Sequence, residues 1–181
     1  DPAALREILA LGLPIAGSVV SEGGLFAVAA LLMSTLGTEI VAAHQIAISY
    51  GALMFMIPLS LHSATTIHVG HQAGRGDFSA ARLAGWAGIA MCGAIMALSS
   101  IVILMARHGI AAAYTTDSGV RALAAGLLLF VAVFQIPDGL QVGAAGALRG
   151  FKDAKVPMAL NFASYWMIGF PAAWWFGIQQ G

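Results

Sequence analysis

Five long apolar stretches separated by short polar connections constrain this chain more than any other feature. They run from about Ile8 to Ser34, Val41 to Val69, Ala80 to Ala106, Val120 to Leu148 and Val156 to Phe176. Glu22 is the only Asp, Glu, Lys or Arg in the first stretch, and the second and fifth contain none. About 20 helical residues cross the hydrocarbon core of a bilayer, so each stretch is long enough to do so. A transmembrane β-barrel would show segments of about 10 residues alternating apolar and polar, and no such alternation occurs. The expected fold is therefore all-α, a polytopic transmembrane helix bundle forming a single transmembrane domain over residues 1–181.

Composition closes the main alternatives. Hydrophobic residues make up 60% of the chain and charged ones 9%, whereas soluble domains carry about a quarter charged residues. The zero net charge leaves no basic footprint for nucleic acid, so none is expected as a partner. The single Cys92 excludes a disulfide framework and fits a packing role. The chain starts at Asp1-Pro2 and stops just past an aromatic-rich apolar run. We expect it to be part of a longer, transporter-sized protein.

Orientation follows from the basic residues. With the N-terminal end of the segment cytoplasmic, Arg6, Arg75, Arg82, Arg149, Lys152 and Lys155 lie inside, and only Arg107 and Arg121 lie outside. The positive-inside bias favours that arrangement. Trp86, Trp166, Trp174 and Trp175 are candidate interfacial anchors, with packing inside the fifth helix as the alternative for Trp166. Gly85-x-x-Gly88 and Gly139-x-x-x-Gly143-x-x-Gly146 place small residues on one helix face, which permits close helix approach in lipid.

Two acids fall inside the apolar stretches, Glu22 near the middle of the first and Asp138 deep in the fourth. A charged group at the bilayer centre costs at least about 2.5–3.5 kcal/mol on insertion scales, so an acid at such a depth marks a functional site facing the bundle or a wet cavity. The bland alternative is a protonated, hydrogen-bonded carboxyl that specifies packing. Gln135 and Gln141 flank Asp138 at three residues either side, on a shared helix face. Pro137 has no N–H, so the carbonyl of Val133 loses its helical donor. Ser18 lies one turn before Glu22, and Gly23-Gly24 thin the helix beside it, which would admit either a ligand or a neighbouring helix. Such carboxyls could cycle between protonated and ionised forms, or hold sodium together with free carbonyls. Residue types alone leave both open. Pro14, Pro58 and Pro171 are candidate bends. Asn161 and Tyr165 form a second polar face in the fifth stretch.

His62, His68 and His71 fall within ten residues and raise the thought of a metal site. A zinc protease needs H-E-x-x-H or a comparable set, and no acid lies between these histidines. His44-Gln45 fits an interfacial polar pair. No P-loop, G-x-S-x-G or dinucleotide-binding glycine pattern is present, so neither an enzyme nor ATP-driven transport has support.

Several ordered segments carry a family resemblance. Ala42-Ala43-His44-Gln45-Ile46, Phe55-Met56-Ile57-Pro58-Leu59-Ser60 and Val69-Gly70-His71-x-x-Gly74 resemble the eighth helix and following loop of the multidrug and toxic compound extrusion (MATE) family, NorM-like branch. Leu13-Pro14 with Glu22 and Leu25-Phe26 is similar to the seventh helix. Gln135-x-x-Asp138-x-x-Gln141 with Gly146-x-Leu148-Arg149-Gly150-x-x-Asp153 is similar to the tenth helix and its turn, and Ser164-Tyr165-Trp166-x-x-Gly169-x-Pro171 to the eleventh.

The resemblance implies a twelve-helix, two-lobe transporter of which this chain is five helices of the C-terminal lobe, lacking the N-terminal lobe as its partner. It implies a secondary multidrug antiporter of the bacterial inner membrane, exchanging cationic lipophilic drugs or dyes for Na+ or H+ by alternating access. No cofactor is expected beyond the coupling ion. Acids at the positions of Glu22 and Asp138 are implicated in coupling, so any Na+ would sit there. Ser18, Phe134, Gln135, Gln141, Asn161 and Tyr165 are the expected cavity-lining residues. Some relatives have a tyrosine where this chain has Phe134, which removes one potential ion-ligating hydroxyl. Phe26, Met33 and Phe134 would offer substrates an adaptable apolar surface. The rival functions are a lipid-linked-oligosaccharide flippase on a related fold, which would want a basic cavity, an intramembrane metalloenzyme using the histidines, and a purely structural subunit.

Overall fold

The structure, a computed structural model, describes residues 2–34, 37–171 and 175. Among these residues the chain is helical with short connections: α1 (Pro2–Ser34), α2 (Thr38–Gly74), α3 (Phe78–Tyr114), α4 (Ser118–Gly150) and α5 (Lys155–Phe162), the last passing into a π-helical segment, Ala163–Gly169. Segments of α1 to α4 are long and apolar enough to cross a membrane: Ile8–Leu31, Thr38–Gly74, Phe78–Tyr114 and Ser118–Gly150. The expected all-α membrane bundle is thus what forms. The expected fifth span, 156–176, ends among residues that are not described, as does Trp174.

The helices are longer than the apolar runs that mark them. Gly70 to Gly74, expected as part of a polar loop, continue α2, and Arg107-His108, expected in a connection, lie within α3. No proline interrupts either segment, and backbone groups near the membrane do best when paired within a helix. Polar side chains simply ride on the protruding turns. What remains of the α2–α3 connection is Arg75, Gly76 and Asp77. The Gly76 N–H donates to Ala73 O at 3.0 Å and the Asp77 N–H to Gln72 O at 3.1 Å, a helix ending that requires a left-handed residue. Gly76 supplies it, at φ 79°. Asp77 then caps α3, accepting from the Ala80 N–H at 2.9 Å and the Ser79 hydroxyl at 2.8 Å. Asp117 caps α4 through the Val120 N–H at 2.9 Å.

Two compact units divide the chain, one of residues 1–32 with 152–181, the other of residues 33–151. In the larger unit, α2 and α4 run parallel and α3 runs antiparallel to both. The register shows this. Gly51 meets Val131, the Gly146 position meets His62 and the Gly150 position meets Val69, whereas the Gly139 position meets Met96 and Gly85 meets Ala147. At one end the core is apolar, built from Ala43, Ile46, Ile103, Ala111, Val120, Ala124, Ala125, Leu128 and Ala132. Towards the other end, small residues let backbones touch. A Cβ at Gly143 would lie 2.8 Å from Ile89 Cα, and one at Gly146 would lie 2.8 Å from His62 O. The glycine face expected from sequence is therefore a packing surface, with α4 meeting α3 at Gly139 and Gly143 and α2 at Gly146 and Gly150. Leu83, Leu98, Met105, Phe130 and Val133 are exposed, as suits side chains in contact with lipid.

In the smaller unit, α1 and α5 run parallel. Gly17 faces Met158, with a Cβ there 3.1 Å from its Sδ, and Gly24 faces Trp166, with a Cβ there 3.2 Å from its Cζ2. Trp166 also stacks at a tilt on Phe170, ring centroids 6.1 Å apart. It packs within its own unit, while Trp86 and Trp175 are exposed.

Candidate functional site

The two membrane-depth acids fall in different units, Glu22 on α1 and Asp138 on α4, and both are half-buried. Around Glu22, Gly24 is occupied by Trp166, whereas among the described residues nothing from a neighbouring element lies within 4 Å of a Cβ at Gly23. The two glycines therefore do different things, one admitting an aromatic ring and the other keeping a thin place on the helix. Ser18 is buried and its hydroxyl donates to Pro14 O at 3.1 Å, a back-bond to its own helix. It is satisfied locally. Asn161 and Tyr165 are half-buried. The segment from Ala163 is π-helical, so the α-helical spacing used to place these two on one face does not hold across it. Single π turns occur often at functional sites.

On α4, the residues expected to surround Asp138 point different ways. Phe134 is 57% exposed and Gln135 only 4% exposed, although they are adjacent. Gln141 is exposed. A step of one residue turns a helix by about a quarter of a circle, and here that carries the chain from the outer face to the interior. Gln135 thus faces the interior of its unit rather than an open cavity. Pro137 lies inside the continuous α4 and Pro58 inside α2, where Pro58 is buried and its carbonyl accepts from Cys92 Sγ at 3.8 Å. Cys92 is a free, buried thiol, in keeping with a packing role.

A polar knot between α2 and α4 escaped the sequence reading. His62 Nδ1 lies 2.9 Å from Val142 O, and its Nε2 lies 3.1 Å from Arg149 Nη1. An arginine only donates and a carbonyl only accepts. His62 is therefore the Nδ1–H tautomer, donating to Val142 O and accepting from Arg149. One turn along α2, the Thr66 hydroxyl is 2.9 Å from both His62 O and Gly146 O. His62 falls on the buried stripe of α2 with Pro58, Thr65 and Val69, and that stripe is the signal that would have set it apart from His68 and His71, which are exposed. The three histidines do not converge, and no group of three or more His, Cys, Asp or Glu suited to a metal occurs among the described residues.

A shallow recess of about 340 Å³ opens at the other end of the larger unit, lined by Ala42, Gln45, Ile46, Ser49, Tyr114, Thr115 and Val120. Gln45 Nε2 donates to Ser49 Oγ at 3.4 Å beside it.

Membrane-length apolar helices packed through glycine define the class as a multi-pass integral membrane protein. The sequence model of the MatE family matches residues 14–175, and the chain belongs to that family. It is 53% identical over 168 residues to the probable multidrug resistance protein NorM of Xanthomonas axonopodis pv. citri, covering 93% of this chain and 37% of the relative. It is 44% identical over 180 residues to the multidrug resistance protein PmpM of Pseudomonas aeruginosa (99% and 38%), and 43% identical over 181 residues to the multidrug resistance protein NorM of Photobacterium profundum (99% and 40%). The chain spans well under half the length of these relatives.

Proposed function

We propose that the protein containing this chain is a secondary multidrug efflux antiporter, exporting cationic lipophilic compounds in exchange for Na+ or H+ by alternating access. The observation that carries this reading is a carboxyl within an apolar helix in each of the two units, Glu22 and Asp138, in a MatE family member whose relatives are named for multidrug resistance. A carboxyl held at that depth at a cost of a few kcal/mol is suited to binding a cation in one state and releasing it in the other. Glu22 and Asp138 take the coupling ion and compete with the cationic substrate. Phe134 and Gln141, exposed on α4, with Asn161 just before the π segment and Tyr165 within it, are the proposed substrate-facing side chains. The protein is multi-pass in the bacterial inner membrane with the N-terminal end of this segment cytoplasmic. In the larger unit Arg75, Arg82 and Arg149 share one end and Arg107 and Arg121 the other, which supports that orientation. An N-terminal lobe would complete the transport cavity.

The test is ethidium efflux from pump-deficient cells expressing the full-length parent, with external sodium present or replaced. Wild type should export dye, and Glu22→Gln and Asp138→Asn should each abolish export at equal expression. Sodium dependence then names the coupling ion. Export by both variants at the wild-type rate would remove the coupling role of these acids.

A further inference from the structure

The buried stripe of α4 contains one side chain that does not fit an apolar interior. Gln135 is 4% exposed, between Ala132 and Gly139 on the stripe, and among the described residues neither its Nε2 nor its Oε1 has a hydrogen-bond partner. Burying an amide unpaired is costly, because it gives up its bonds to water for nothing in return, so a partner is called for.

A second orphan lies at the same level on α3. The Gly139 position meets Met96 and Cys92, and the Gly143 position meets Cys92 and Ile89, so each turn back along α4 is a turn forward along α3. One turn back from Gly139 is Gln135; one turn forward from Met96 are Ser99 and Ser100. Ser99 Oγ is buried and unpaired. Other helical hydroxyls show the bond that was open to it. Ser18, Ser60, Ser63 and Thr66 all donate to the carbonyl four residues before them, the usual resort of a helical hydroxyl. Ser99 forgoes that bond. Ser100 beside it is 5% exposed.

We infer that Gln135 and Ser99 hold an internal water between α3 and α4. The chemistry selects water over a cation. The amide offers two N–H donors and an acceptor oxygen, and the serine hydroxyl one donor and an acceptor. Water both donates and accepts and is stable where it finds two to four polar partners. A sodium ion would satisfy the two oxygens and leave both amide hydrogens without an acceptor. Ala132 on α4 and Ser100 on α3 are small, whereas the space beside Gly139 is taken by Met96, which closes the layer on that side. Residues three apart on a helix are neighbours, so the hydrated layer begins one turn from Asp138. The inference does not depend on the transport reading, because its test needs no substrate.

The experiment uses the full-length parent in nanodiscs, comparing the thermal unfolding midpoints of wild type, Gln135→Met, Ser99→Ala and the double variant, alongside a map of the wild type fine enough to show ordered solvent. With a bound water, Gln135→Met lowers the midpoint, because it strands the water and the serine. The double variant then falls by less than the sum of the two single changes, and a solvent peak bridges Gln135 and Ser99. In a dry site, replacing an orphan amide by an apolar chain of the same length leaves the midpoint unchanged or raises it. That result overturns the inference, as does a map showing the amide bonded directly to Ser99 with no solvent between them. If Gln135→Met does not fold, the map and Ser99→Ala decide alone, a midpoint equal to wild type with no bridging peak counting against the water.

Discussion

Arg149 donates from Nη1 to Nε2 of His62 across the α2–α4 interface, 87 residues apart in sequence and 3.1 Å apart in space. The bond fixes the imidazole as a neutral relay between a guanidinium and the carbonyl of Val142. It also explains why a histidine is buried on a stripe that it shares with Pro58, Thr65 and Val69. A phenylalanine would fill the space but satisfy neither neighbour.

His62→Phe should therefore destabilise the folded parent protein by about 1–3 kcal/mol for each group left unsatisfied, read as a lower unfolding midpoint in detergent. His62→Gln keeps a donor and an acceptor and should recover part of the loss. Equal midpoints for the two variants would show that ring packing rather than hydrogen bonding holds this position.

Thr66→Val removes the hydroxyl that reaches Gly146 O and His62 O while keeping the side-chain shape. Interhelical hydrogen bonds in membrane proteins average about 0.6 kcal/mol, with a maximum near 1.7, so the loss should be small and measurable. Combined with His62→Phe it should be non-additive, since the two side chains share one interface. A double-variant cycle in midpoints checks this.

The glycines of α4 divide into two kinds. A Cβ at Gly143 would lie 2.8 Å from the backbone of Ile89, whereas among the described residues a Cβ at Gly126 meets nothing within 4 Å. Gly143→Ala should cost about 1–3 kcal/mol through overpacking. Gly126→Ala should be neutral or stabilise by about 0.5–1 kcal/mol, because alanine loses less backbone entropy in a helix. Folded yield after mild heating would separate the two.

The α3 cap titrates. The Ala80 N–H and then the Ser79 hydroxyl, both bonded to the Asp77 carboxylate, hold its pKa below the usual value. A carboxyl depressed on folding contributes stability that is complete above its unfolded pKa and is lost as pH falls through its folded one. Acidification below the ordinary carboxylate range should therefore loosen the start of α3. Asp77→Asn caps comparably without titrating, so it should flatten this part of the pH profile. Hydrogen exchange at the Ala80 amide between neutral and acid pH is the direct readout.

Much of the architecture was legible because lipid imposes a simple rule, that apolar length reports a span. The α4 glycines were legible for the same reason, since their spacing marks a face. Helix ends were not, because hydrophobicity falls before helicity does, and Gly70 to Gly74 and Arg107-His108 remain helical in polar sequence. The π segment around Tyr165 left no mark in residue type. At the site, the acids stood out by cost alone, but orientation did not. Phe134 and Gln135 are adjacent, yet one is exposed and the other buried, and Ser18 bonds its own helix. The His62–Arg149 pair stayed hidden because its partners come together only once α2 and α4 are set in register.

The larger unit is held differently at its two ends. One end is gathered by the apolar cluster around Ala43, Ile103 and Leu128, where contacts have no direction and a small slide exchanges one for another at little cost. The other is tied by the hydrogen bonds of His62, Thr66 and Arg149, which have fixed lengths and angles and fail together when displaced. The α2–α4 pair is thus keyed in one register at its basic end, where bond geometry admits a single alignment, and only gathered at the other.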